Sequence, residues 1–119
     1  MVSQNIPTPS KALAIGAHPD DIELGAGATL AKWAADGCEV SLMIATDGSK
    51  GSWDSSADPA ELTTLRKAEQ RAAADLLGVS GELVFLDLID GELNAGIEER
   101  EIVASWIRKL QPNVVLGHD

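Results

Sequence analysis

Lys11-Ala12-Leu13-Ala14-Ile15-Gly16-Ala17-His18-Pro19-Asp20-Asp21-Ile22-Glu23 is the stretch on which the reading of this chain turns. Its first half is a short apolar run that reads as a buried strand. Its second half packs four ionisable groups, His18, Asp20, Asp21 and Glu23, into the turn and the start of a helix. A fold gains nothing from such a charge cluster at the end of a central strand, whereas a metal ion does. Pro19 pushes His18 out of the helical region, and neighbours in extended backbone point to opposite sides. Asp20 and Asp21 are therefore expected to diverge, one joining His18 on a cation and the other reaching toward a bound water. Imidazole plus carboxylate is a zinc-type donor set, and a catalytic zinc keeps an open position. Such an ion lowers the pKa of its water to about 7, which leaves the second carboxylate as general base.

Outward from this turn the pattern alternates strand and helix. Strands are expected over residues 11–16, 39–45, 83–86 and 113–117, and helices over residues 24–35, about 59–77 and 97–110. Gly37 and Gly78 act as helix stops. The second helix opens with Asp58 as cap, Pro59 at its first position and Glu61 in a capping-box-like place. Repeated strand–helix units predict an α/β fold: a Rossmann-like open parallel sheet with flanking helices and right-handed crossovers. Ligands in such sheets bind beyond the C-terminal ends of the strands. The His18 turn, the Thr46-Asp47-Gly48 turn, the loop at residues 87–90 and His118 all fall at that edge. A dinucleotide reading fails here. Gly25-x-Gly27 is followed by Leu30 where the third glycine belongs, and Asp20, Asp21 and Glu23 would repel a pyrophosphate.

The chain has 119 residues and a formal net charge of −10. That length suits one domain, expected over residues 11–119 with a flexible segment at 1–10. The acidity argues against nucleic acid and against a basic membrane-binding face. Cys38 is the single cysteine, so neither an intrachain disulfide nor a thiolate metal cluster is available. No apolar run approaches membrane-spanning length, and residues 1–10 lack the core of a signal peptide; a cytoplasmic location is expected. Helix two is expected to carry its apolar stripe at Leu62, Leu65, Ala72 and Leu76, with Glu69 on it and Arg66 as its partner three residues earlier. Trp53, in the polar loop, is expected either over a sugar ring or against helix two.

Ala17-His18-Pro19-Asp20-Asp21-x-Glu23 resembles the first signature of the LmbE-like, or PIG-L, family of zinc-dependent N-deacetylases. The resemblance extends through Thr46-Asp47-Gly48-Ser49, Leu65-Arg66-x-x-Glu69, Leu76-Leu77-Gly78-Val79, Asp90-Gly91-Glu92-Leu93 and Gln111-Pro112-Asn113-Val114-Val115. It implies Zn2+ as cofactor, His18 and Asp21 as metal ligands, and Asp20 as the base that takes a proton from water. It further implies Arg66, held by Glu69, and Asp90 as substrate contacts. The implied reaction is removal of an N-acetyl or related acyl group from a glucosamine-type amide, with a small amino-sugar conjugate as substrate. The family's third ligand belongs to a His-Pro-Asp-His motif that this sequence lacks up to Asp119. The resemblance therefore spans the N-terminal half of a family domain, with two of three ligands, and His118 is expected to be incidental or to stand behind the ligands. A homo-oligomer or a companion C-terminal fragment would complete the site. Two rivals stand beside this reading: a metal-assisted hydratase or lyase on the same scaffold, and a non-catalytic accessory domain.

Overall fold

A computed structural model describes residues 6–118. The elements run β1 (Lys11–Gly16), α1 (Asp21–Ala35), β2 (Glu39–Thr46), α2 (Pro59–Leu77), β3 (Leu83–Leu88), α3 (Ile97–Leu110) and β4 (Val114–Leu116). All expected elements form. The first helix begins three residues sooner than the apolar pattern suggests, because Asp21 and Glu23 lie in its first turn, where the helix dipole favours carboxylates. Of the N-terminal segment expected to be flexible, residues 1–5 lie outside the described residues. Within the rest, the Thr8 hydroxyl donates to Asp36 and the Ser10 hydroxyl to Asn113.

The four strands are parallel in the order β3-β2-β1-β4. β1 and β2 alternate strictly. Ala12, Ala14, Val40, Leu42 and Ile44 face α1 and α2, where Leu30 and Trp33 complete the larger core. Leu13 and Met43 face the opposite side, against Val103, Trp106 and Ile107 of α3. Both faces of the sheet are thus covered, which is why β2 is apolar on both sides from Leu42 to Ala45. The chain moves outward from β1 to β3, then returns over the other face to place β4 beside β1. The order reverses between β1 and β4, and a crevice opens at their C-terminal ends.

Local chemistry sets the boundaries. Asp58 accepts a hydrogen bond from the Ala60 N–H at the start of α2, and Gly78 ends it in the left-handed conformation, φ 84°. Gly16 allows close approach: a Cβ there would lie 2.9 Å from Ile22 Cγ1.

The face that α2 buries is not the expected one. Leu65 and Leu76 are 55% and 90% exposed, and Glu69 and Ala72 also face outward. Gln70 and Ala74 are buried, flanked by the half-buried Thr63, Arg66, Lys67, Ala73 and Leu77. The N-terminal part of α2 lies over the charged turn after β1 and over Phe85, whose ring carries Lys67 and Arg71 at 5.3 and 5.4 Å from its centroid. A polar face satisfies those neighbours and an aliphatic one does not. Of the expected stripe only Leu62 is half-buried; counting aliphatics in an alanine-rich helix picked the wrong side for Leu65, Ala72 and Leu76.

Candidate active site

The site begins where β1 ends. Asp20 adopts a left-handed backbone, φ 78°, rather than the extended form expected from Pro19. The kink still sends the two carboxylates apart. Asp21 turns back: its Oδ2 accepts from the His18 N–H at 2.9 Å and lies 3.3 Å from His18 Nδ1. Asp20 turns toward α2, where Arg66 Nη1 donates to its Oδ2 at 3.0 Å. Arg66 is therefore held by Asp20. Glu69, expected to hold it, is exposed.

The His18 half of this arrangement is braced from distant loops. His18 Nε2 lies 2.9 Å from Asp90 Oδ1, and Asp90 is only 8% exposed. The second oxygen of Asp90 accepts from the Lys50 N–H at 3.0 Å. Asp47, after β2, ties these loops together by accepting from the N–H groups of Ser49 and Asp90. Burial opposes charge on Asp47, but the hydrogen bonds from Ser49 and Asp90 outweigh it and hold its carboxyl below the usual range. Thr46 anchors the turn itself, donating through both its hydroxyl and its N–H to the Ala17 carbonyl, each at 2.8 Å.

Gln70 gave no chemical signal in the sequence. It is fully buried. Its Oε1 accepts from the Asp20 N–H at 3.1 Å, and its Nε2 donates to Glu23 Oε1. Glu23 Oε2 is buried without a partner among the described residues. Desolvation raises the Glu23 pKa; the Gln70 hydrogen bond partly offsets this, and the charges of Asp20 and Asp21 push it higher. The four-residue spacing from Arg66, which puts both side chains on one helix face, was the signal available.

The donor set can be tested against a divalent cation. Two donors held at roughly 2.0–2.1 Å in a tetrahedral site stand about 3.3 Å apart, and the His18 Nδ1–Asp21 Oδ2 separation is 3.3 Å. Metal-bound imidazoles donate their other ring N–H to a carboxylate, and Asp90 stands at that place for His18. These two residues fit such an ion. His118 follows β4 and brings Nε2 to 3.8 Å from Asp21 Oδ2, with its side chain 55% exposed. Among the described residues no group of three His, Cys, Asp or Glu is arranged to hold a metal. On the α3 side of the strand ends an apolar groove of about 750 Å³ opens beside Ala17 and His118, walled by Ile15, Leu86 and Val103. Trp53 is fully exposed and packs on neither α2 nor the site.

Residues 13–119 match the family described as PIG-L: GlcNAc-PI de-N-acetylase. Diacetylchitobiose deacetylase of Thermococcus kodakarensis is 38% identical over 109 residues, covering 92% of this chain and 40% of the relative. The solved structure of N,N'-diacetylchitobiose deacetylase from Pyrococcus horikoshii superposes with a TM-score of 0.86 at 37% identity, over 90% of this chain and 40% of that one. The 4-carboxy-2-hydroxymuconate hydratase of Pseudomonas putida KT2440 superposes at 0.81 with 27% identity, over 92% of this chain and 47% of that one. The chain thus spans less than half the length of each of these relatives. The chain belongs to the PIG-L family.

Proposed function

We propose, on the premise of that membership, that the protein carrying this chain is a zinc-dependent hydrolase. It removes an N-acetyl or related acyl group from a glucosamine-type substrate. One observation carries the reading: two adjacent carboxylates serve two separate environments, Asp21 facing imidazole and Asp20 facing a guanidinium. His18 and Asp21 hold the ion, and the third donor comes from outside this chain's described residues. A companion C-terminal segment or a second copy is the proposed source. When bound, zinc supplies Lewis acidity toward the amide carbonyl and a water acidified to a pKa of about 7.

The chain's own residues do the rest. Asp20 takes the water proton on its carboxylate and holds it for the departing amine. Arg66 fixes that carboxylate through Nη1 and offers its remaining N–H groups to a substrate oxygen. Asp90 holds the His18 ring through Oδ1; carboxylate oxygens have spare lone pairs, and one of these takes a sugar hydroxyl. A cytoplasmic location belongs to the same proposal, supported by the lone cysteine. Among the described residues no helix is long and apolar enough to cross a membrane.

Amine release from N,N'-diacetylchitobiose, with and without a chelator, tests the reading. Chelation should abolish turnover and zinc should restore it, and Asp20→Asn should lower kcat by about 100-fold or more. Robust turnover that ignores the chelator overturns it. The likeness to a hydratase supports a second reading, in which the same water and carboxylate add across a carbon–carbon double bond. Loss of a conjugated chromophore without amine release would mark that outcome. Zinc binding with neither reaction would mark an accessory domain.

A further inference from the structure

We propose that Gln70 is a positioning residue that sets the aim of Asp20 by fixing its main chain. This inference rests on Asp20 being the proton acceptor. Asp20 is a non-glycine residue in the left-handed region, φ 78°, a conformation that residues other than glycine adopt sparingly and at some cost. It occupies the N-cap of α1, yet its side chain makes no capping bond there, because Arg66 takes the carboxylate. The brace comes instead from the fully buried Gln70, whose Oε1 accepts the Asp20 N–H. Arg66 and Gln70 are four apart and lie on one face of α2, so a single helix holds Asp20 twice, by carboxylate and by main chain.

The amide of Gln70 is itself fixed in orientation. Glu23 Oε1 accepts from Nε2, which leaves Oε1 as the group facing Asp20. An amide turned the other way would oppose two donors to each other, N–H against NH2, and set an oxygen against a carboxylate. Glu23 thus acts as the lock on the lock, which gives this third acid of the cluster a task away from the metal. Gln70 touches neither substrate nor ion; it acts through Asp20.

The test uses the full-length protein with zinc bound and reads amide exchange at Asp20 together with kinetics. Gln70→Met keeps the volume and removes both bonds. The expected result is exchange of the Asp20 amide accelerated about 10-fold or more, with kcat for amine release reduced about 10- to 100-fold. KM and zinc affinity should stay within about twofold. Gln70→Glu sets two carboxylates face to face and should be at least as impaired. The exchanged pair, Glu23→Gln with Gln70→Glu, restores donor and acceptor to each partner and should recover most of kcat. A merely structural residue would not show that recovery. Unchanged exchange in Gln70→Met, an unchanged kcat, or a double variant no better than Gln70→Glu alone would each overturn the proposal. Should the unmodified protein release no amine, the deacetylase reading falls by itself. The exchange measurement still judges Gln70.

Discussion

Replacing Asp90 separates two tasks that one carboxylate is proposed to perform. Its Oδ1 stands 2.9 Å from His18 Nε2, with side-chain exposures of 11% for Asp90 and 49% for His18. A hydrogen bond to a charged partner contributes about 1.5–3 kcal/mol. Carboxylates that orient a metal-binding histidine typically change affinity by about 10- to 100-fold. The half-exposed ring of His18 can take water in place of the lost partner, so Asp90→Ala is expected near the lower end, about 10-fold weaker zinc binding or ~1.4 kcal/mol. Asp90→Asn keeps an acceptor oxygen for His18 and should lose only about threefold. Competition against a chromogenic chelator measures both, with KM for the amide substrate followed in parallel. If Asp90→Ala binds zinc within twofold of the unmodified protein, the orienting role is wrong. A rise in KM alone would then leave Asp90 as a sugar contact only.

Glu23→Gln should make folding stability less sensitive to pH. The folded pKa of Glu23 is raised, chiefly by burial, so its contribution is complete below the unfolded value of about 4.3 and is lost as pH rises through the folded value. The stability gain of Glu23→Gln over the unmodified protein should therefore grow from acid pH toward neutrality, as read by urea midpoints in metal-free buffer; a flat or shrinking difference refutes this. Leu30 is fully buried between α1 and the sheet, and Leu30→Ala should cost about 2–5 kcal/mol in the same assay. A loss under 1 kcal/mol would mean that the core closes over the gap more freely than its packing implies.

Much of this protein is written locally. The alternation of β1 and β2, the Asp58–Pro59 start and Gly78 stop of α2, and the Pro19 turn each depend on neighbours a few positions away. Periodicity, capping and restricted φ act at that range, so strand, helix and the parting of Asp20 from Asp21 were legible in the letters alone. Even the route to the left-handed Asp20 was not: extended backbone was expected and a kink delivered the same divergence.

What joins Asp20 to Arg66 spans 46 positions, and what joins His18 to Asp90 spans 72. No periodic rule reaches so far. Strand order β3-β2-β1-β4 brings the loops after β1, β2 and β3 to one sheet edge, and only then does Asp90 meet an imidazole. The same packing turned Arg66 and Gln70 of α2 inward in preference to Leu65 and Leu76, because the groups beneath that part of the helix are carboxylates that need partners. Residue types and turns were therefore decided by the sequence itself. Which side chain answers which was decided by the tertiary structure, since a buried charge selects its partner from whatever the fold sets beside it.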